Sequence, residues 1–195
     1  MTSQSVTAVR RRDRWASWAV VGVVALALLL GWGVKALAEN RTVVFQSEQF
    51  RIPYPAGWVR VNADAPIILQ VEKLASPART TLTLQRRPAP PDATNPLGAV
   101  QQALTLERGR TWTAYRVLNV EQSDAVPGRD ALRVTFAYVA NNPNPFMAAP
   151  PVVMLGQEYL FPVEADVQIV TMTAAEANYE RATRDLQTFL RGSPK

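Results

Sequence analysis

An uncharged stretch near the N-terminus constrains this chain more than any other feature. Residues 15–34 form a run of 20 positions without a formal charge, and residues 19–30 contain only Ala, Val and Leu with one Gly. A helix of this length spans about 30 Å, which is the thickness of a bilayer's hydrocarbon core. Trp15 and Trp18 lie at one end and Trp32 at the other, where indole rings meet the membrane interface. The sequence therefore predicts a transmembrane anchor over residues 15–38.

The basic residues around this run predict its orientation. Four Arg precede the run, whereas only Lys35 and Arg41 follow it closely. The positive-inside bias makes residues 1–14 a cytoplasmic basic tail and places residues 39–195 outside the cytoplasm. The alternative is a signal peptide, because Ala36-Leu37-Ala38 fits a small-x-small cleavage pattern. The run is longer than the roughly 7 to 15 residues of a signal peptide's apolar core, so we favour a retained single-pass anchor in the cytoplasmic membrane.

Charge and composition exclude several classes of function. The net charge is +5, but five of the 21 basic residues and only one of the 16 acidic residues precede Glu39. The domain itself is therefore close to neutral and lacks the basic surface that phosphate backbones require, so no nucleic-acid partner is expected. The chain has no Cys and no His, which excludes disulfides, Cys/His zinc sites, and Ser-His or Cys-His catalysis. No P-loop, dinucleotide-binding or Gly-x-Ser-x-Gly motif is present.

The sequence after the anchor predicts a series of strands and two helices. Short β-branched and aromatic runs predict strands at residues 43–45, 50–54, 58–61, 67–73, 80–85, 115–121, 132–138, 152–161 and 167–172.

The ends of the two helices are also predicted. Asn95 followed by Pro96 is a typical helix start, and Gly109 is the expected C-terminal stop. Thr173 and Glu176 have the spacing of a capping box for a final helix. Pro127-Gly128 suits the centre of a type II turn between two strands.

Three segments of the domain have distinctive local sequences. They are FRIPYPAGW at residues 50–58, GRDALRV at residues 128–134, and VQIVTMT at residues 167–173 followed by the final helix. In these segments the chain resembles the PsbP-like family, whose namesake is an extrinsic lumenal subunit of the oxygen-evolving photosystem. The resemblance covers about residues 43–191. The Pro-rich residues 141–151 and the retained anchor depart from the photosystem proteins.

The resemblance implies both a fold and a role. The implied fold is α+β, an antiparallel sheet flanked by helices, here preceded by one N-terminal transmembrane helix. The implied role is a non-enzymatic accessory one, often on a membrane complex. The residues of the namesake's metal and photosystem contacts are not matched to positions of this chain, so no cofactor, metal ligand or catalytic residue is carried over.

Two groups of residues are candidate binding sites. Tyr54, Trp58 and Trp112, with Phe50, could line a ligand cleft, although aromatic residues of a small domain also serve as its core. Phe146 and Met147 lie in a Pro-rich loop and could contact a partner, because Pro lowers the entropy cost of presenting them; they could equally pack on their own domain. Glu164 and Asp166 are too few carboxylates for a metal site, and turn solvation explains them.

These observations predict a membrane-anchored accessory or assembly subunit that acts by protein–protein contact outside the cytoplasm. Its expected partners are the lipid bilayer and another membrane protein or complex. The alternative is a membrane-tethered domain that binds a small molecule or lipid through the aromatic residues. An enzyme is not expected.

Overall fold

The computed structural model describes residues 5–39, 42–46, 51–55, 57–75, 77–126, 128–141 and 150–191. The chain divides into two compact units, Met1–Arg41 and Thr42–Lys195. The first unit contains helix α1, Ser5–Glu39. Its segment Trp18–Leu37 has a mean hydropathy of 2.2, and within the described residues it is the one helix long and apolar enough to cross a membrane. A signal sequence has the same length and composition.

The second unit is built around a sheet. The strands are β1 Thr42–Gln46, β2 Arg51–Pro55, β3 Val59–Val61, β4 Ile67–Lys73, β5 Thr80–Pro88, β6 Thr113–Ser123, β7 Ala131–Ala140, β8 Val152–Val163 and β9 Asp166–Ala175. The helices are α2 Pro96–Thr111 and α3 Tyr179–Arg191, the latter preceded by a single 3-10 turn, Glu176–Asn178.

Seven of the described strands form one antiparallel sheet in the order β3-β4-β5-β9-β8-β7-β6, and β1 pairs with β2 alone. The predicted α+β architecture is confirmed. The central strand β9 is buried on both faces because a helix packs on each side, and its neighbour β8 is buried on both faces over residues 156–161. Strands such as β4 show more of the alternation expected of a sheet with two unlike faces.

Helix α3 covers one face of the sheet, called here the α3 face. It packs Ala182, Leu186, Phe189 and Leu190 against side chains such as Leu82 and Val170. Helix α2 covers part of the opposite face, called the α2 face. There Val100 and Leu104 pack against Val134, Leu160, Val167 and Ile169. Since α2 packs on only part of its face, the remainder of that face is left open over β4, β5 and part of β9.

The helix boundaries test the capping predictions. The Asn95 cap is confirmed, because its side chain accepts a hydrogen bond from Gly98 N at 3.0 Å and Pro96 follows at the first helical position. The predicted stop at Gly109 is wrong. Helix α2 continues to Thr111, and the N–H of Trp112 donates to Arg108 O at 2.7 Å.

The predicted capping box at the last helix is also wrong. Thr173 lies inside β9 and pairs with Gly156 on one side and Thr81 on the other. Strand pairing on both sides keeps the chain extended as far as Ala175, so the local capping pattern is overridden. The turn before β7 is confirmed, since Gly128 has a φ of 71° and Arg129 N donates to Val126 O at 3.2 Å.

Candidate functional site

A cavity of about 360 Å³ opens on the α2 face beside helix α2. Strands β4, β5 and β9 form its floor, and the last turns of α2 with Tyr138 of β7 form its walls. The residues that line it are Ile67, Gln70, Thr81, Thr83, Gln85, Arg87, Leu104, Glu107, Arg108, Thr111, Trp112, Tyr138, Thr171 and Thr173. Four of the residues on the floor are Thr, so the floor offers hydrogen-bonding groups beside its apolar surface.

Strand alternation explains the polar floor. In β5, Leu82 and Leu84 point into the α3-face core, and the residues between and beyond them point to the opposite face. Thr81 pairs with Thr173 of β9, and Thr83 pairs with Thr171, so four hydroxyl-bearing side chains form two adjacent pairs. The threonines on these two neighbouring strands therefore place hydroxyl groups on the uncovered part of the sheet.

A buried ion pair lies at the wall of the cavity. Arg108 donates through Nη2 to Glu158 Oε2, and Thr171 Oγ1 donates to the same carboxylate oxygen at 2.7 Å. The side chains of Arg108 and Glu158 are only 9% and 1% exposed. Burial by itself would lower the pKa of Arg108, but the charge and hydrogen bond of Glu158, with a contribution from Tyr115, raise it above its ordinary value. Arg108 is therefore a permanently charged wall residue whose charge is compensated.

Aromatic rings enclose the Arg108 guanidinium. Its Cζ lies 5.1 Å from the Trp112 ring centroid and 5.0 Å from that of Phe136, within cation–π range. Trp112 also contacts Tyr138 at a centroid distance of 4.4 Å. Burial raises the pKa of Tyr138, which keeps its hydroxyl protonated. The buried Nη1 of Arg108 has no hydrogen-bond acceptor in the described part of the chain. The faces of the Trp112 and Phe136 rings stabilise the guanidinium in place of that missing hydrogen bond.

The Phe136 ring lies directly over Gly156 of β8. A Cβ at position 156 would lie 2.1 Å from Phe136 Cε2 and Cζ, so only glycine leaves room for the ring in this position. Gly156 thereby lets Phe136 lie flat enough on the sheet to contact Arg108. The site thus depends on a residue that does not itself line the cavity.

The outer edge of the cavity carries a second ion pair. Arg87 Nη1 donates to Glu107 Oε2 at 2.8 Å. This hydrogen bond from Arg87 lowers the pKa of Glu107, and the nearby positive charges of Arg87 and Arg108 add to the effect. Every charged side chain that lines the cavity is therefore paired with an opposite charge.

Three polar side chains of β5 have no hydrogen-bond partner within the described part of the chain. The side chains of Thr81, Thr83 and Gln85 make no hydrogen bond to any residue that the structure describes, and their polar atoms are accessible from the cavity. Gln85 is only 8% exposed, yet its amide has no partner among those residues. Because their polar atoms are accessible, these groups are available to water or to a bound molecule.

The structure does not bring the predicted aromatic residues together. Tyr54 and Trp58 are 9% and 4% exposed and belong to the α3-face core. Trp112 lies on the opposite face and lines the cavity. A cleft shared by all three is therefore not formed, because the sheet separates them. Phe146 and Met147 lie outside the described residues.

Sequence reasoning missed Arg108, Glu158 and the polar side chains of β5. Two signals were nevertheless present. Arg108 continues the helical series of Val100 and Leu104 at a spacing of four, so a charged residue occupies the buried stripe of α2. Thr81, Thr83 and Gln85 are polar at every second position of a strand whose other face is leucine. No group of three or more potential metal ligands occurs among the described residues.

No protein-family model matches the sequence, and no curated protein matches it. Solved structures do match. Cyanobacterial PsbP (CyanoP) from Synechocystis sp. PCC 6803 superimposes with a TM-score of 0.57 at 11% identity, covering 80% of this chain and 92% of that one. The chain has the PsbP-like fold. The expected resemblance is thus confirmed for the architecture of the domain.

Two further solved structures are similar at lower scores. PA94 from Pseudomonas aeruginosa, a protein of unknown function described as a putative regulator, matches with a TM-score of 0.48 at 15% identity, covering 80% of this chain and 100% of that one. LpqN from Mycobacterium tuberculosis, involved in cell envelope biogenesis, matches with a TM-score of 0.47 at 9% identity, covering 76% of this chain and 87% of that one.

Proposed function

We propose that the protein is a membrane-anchored, non-enzymatic binding protein whose folded domain holds a small polar molecule in the cavity beside α2. One observation carries the proposal. Gln85, Thr81 and Thr83 present unpartnered hydrogen-bonding groups inside a cavity of about 360 Å³, within the size range of small-molecule sites. Residues that served only the core would be apolar or paired with one another.

The chemistry of the cavity supports binding rather than catalysis. A general base needs a free carboxylate or imidazole that can take a proton near neutral pH. Glu107 is held by Arg87, which lowers its pKa further from neutrality, and Glu158 is held by Arg108 and Thr171. The chain has no His or Cys to act instead.

The anchor supports a position at the membrane. Helix α1 includes a segment that can span a bilayer, and the Arg-rich residues before it favour a cytoplasmic N-terminus. Because the chain lacks Cys, single cysteines can report topology. We expect Thr188→Cys, exposed on α3, to react with a membrane-impermeant maleimide in spheroplasts, and Thr7→Cys to react only after permeabilisation. The reverse pattern, or release of the full-length chain by alkaline carbonate, would contradict this topology.

Ligand binding is tested by equilibrium dialysis of the full chain in lipid nanodiscs against the small-molecule extract of the producing cells. Mass spectrometry compares what the wild type retains with what Thr83→Phe retains, because a phenyl ring at position 83 fills the floor of the cavity. Thr188→Phe, on the surface of α3, is the matched control. We expect one compound to be enriched by the wild type and by the control but not by Thr83→Phe. Identical retention by all three proteins would reject the proposal.

The second candidate is an accessory subunit of a membrane complex, as the PsbP-like resemblance implies. Strand β6 favours it, because this eleven-residue strand is at the edge of the sheet and exposes Leu118 and Val120. An open edge can accept a strand from another protein. A photo-crosslinking amino acid at position 118 is expected to capture one membrane protein in native membranes, and the same probe at position 188 is not. Equal capture at both positions would count against a partner on β6.

The proposed contact through Phe146 and Met147 stays a prediction.

A further inference from the structure

We propose that the cavity beside α2 recognises a neutral sugar ring, either free or at the end of a larger glycan. This inference rests on the proposed binding function and specifies its ligand class. It is carried by the charge balance of the cavity, the unpartnered groups on β5 and the aromatic wall.

The charge balance excludes a ligand that depends on its own charge. Arg87 is paired with Glu107 at the rim, and Arg108 is paired with Glu158 in the wall. Among the charged side chains, Arg87, Arg108 and Glu107 line the cavity, and Glu158 is buried outside the lining. An anion would meet two guanidiniums whose charges Glu107 and Glu158 already compensate, and a cation would meet a carboxylate that Arg87 already holds. A charged ligand would lose its hydration without gaining a free counter-charge, which is unfavourable in a partly enclosed site.

The unpartnered groups match a molecule that carries several hydroxyls. Thr81, Thr83 and Gln85 occupy alternate positions of one strand, so neighbouring side chains are spaced by about 7 Å along the floor. Thr hydroxyls and the Gln amide can each both donate and accept hydrogen bonds. A sugar hydroxyl has the same dual capacity, and a ring carries hydroxyls on opposite sides that can engage two of these positions together. A lipid chain would leave all three groups unpaired.

The wall of the cavity supplies the apolar surface that a sugar also needs. Trp112 and Tyr138 are both half-buried and line the cavity. Aromatic rings pack well against the C–H face of a sugar while polar groups hold its rim. The volume of about 360 Å³ lies at the lower end of the range for small-ligand sites, so a single ring fits better than an extended chain.

A matched set of sugars tests the inference. The full chain in nanodiscs, free of sugar-based detergent, is titrated with glucose, N-acetylglucosamine, glucosamine and glucuronate, while Thr methyl resonances are followed by NMR. These probes share one ring and differ in charge. We expect at least one neutral probe to give saturable shifts at the cavity threonines, and both charged probes to bind about tenfold more weakly or not at all.

Two variants locate the binding. Gln85→Leu removes the amide but keeps a similar side-chain length, and should weaken the neutral probe about tenfold. Thr188→Val, on α3, should leave binding unchanged. Addition of methyl glucoside identifies the source: binding of the glycoside indicates a sugar attached to a larger molecule, and its exclusion indicates a free sugar, both in agreement with the inference. Unaltered binding by Gln85→Leu would overturn the proposed site.

The remaining outcomes separate the ligand class from the proposed function. If glucuronate or glucosamine binds the cavity as tightly as the neutral probes, the sugar inference is overturned and a binding role stands. The same holds if no probe binds while dialysis still enriches a compound that Thr83→Phe loses. If neither experiment detects a ligand, both the inference and the proposed function fall.

Discussion

The buried pair between Arg108 and Glu158 is expected to respond to charge removal far more strongly than a surface pair. Glu158→Gln keeps the shape of the side chain and can still bond with Thr171, but it leaves Arg108 charged and uncompensated. Only 9% of the Arg108 side chain is exposed, so water cannot replace the lost carboxylate. Removing one partner of a buried pair costs about 3–5 kcal/mol, and the aromatic rings around Arg108 place the expected value near the lower end.

The chain offers a matched control on its surface. Arg133 pairs with Glu121, and their side chains are 36% and 39% exposed. Glu121→Gln makes the same chemical change in a pair that solvent screens. Exposed pairs contribute about 0–1 kcal/mol, so this variant should lose no more than that.

Equilibrium urea unfolding of the full chain, followed by circular dichroism, measures both losses. The double variant Arg108→Met/Glu158→Gln should recover most of the stability, because Met fills the space between the rings and no charge stays buried. Equal losses for the buried and exposed single variants would refute the reasoning, as would a double variant no more stable than Glu158→Gln alone.

Three further predictions follow from other contacts. Gly156→Ala should lose about 1–3 kcal/mol of unfolding free energy, since its methyl would collide with the Phe136 ring. Gly109→Ala lies inside α2, and a Cβ there would have no atom within 4 Å, so this variant should instead gain up to about 1 kcal/mol of unfolding free energy. Thermal unfolding of both variants measures these opposite changes in stability. The pKa of Glu107 is lower in the folded than in the unfolded chain, so its contribution to stability is present above the ordinary glutamate pKa and is lost as the pH falls through the folded value. Glu107→Gln should therefore show a flatter acid limb in a plot of stability against pH. Arg87→Gln should flatten the same acid limb, and the double variant Arg87→Gln/Glu107→Gln should be no flatter than either single variant. Additive effects would show that the two residues act separately.

Local sequence was sufficient wherever neighbouring residues decide the structure. The uncharged run predicted a long apolar helix, and α1 has that form. The cap at Asn95 and the turn at Gly128 were predicted because a side-chain oxygen and a positive φ act within a few residues. Three local segments also indicated the PsbP-like fold, which the structural comparison confirms.

Contacts between distant strands overrode local signals elsewhere. At Thr173, pairing with β5 and β8 keeps the chain extended in spite of the local capping pattern. The glycine at position 109 did not end α2, which continues for two more residues to Thr111. The outcome at Thr173 reflects strand pairing that outweighs local propensities of about 1 kcal/mol or less.

The alternation of polar and apolar residues along each strand, the amphipathic stripe of α2 and the apolar N-terminal helix are properties of the sequence alone, because they depend on spacing within one segment. The placing of β9 between β5 and β8 is a property of the tertiary structure. That arrangement pairs Thr81 with Thr173 and Thr83 with Thr171 and brings Glu158 to Arg108 across fifty residues. It also puts Trp58 and Trp112 on opposite faces. A cavity assembled from separate strands and a helix depends on which strands become neighbours, and that choice is made by the global burial of apolar surface rather than by any local pattern.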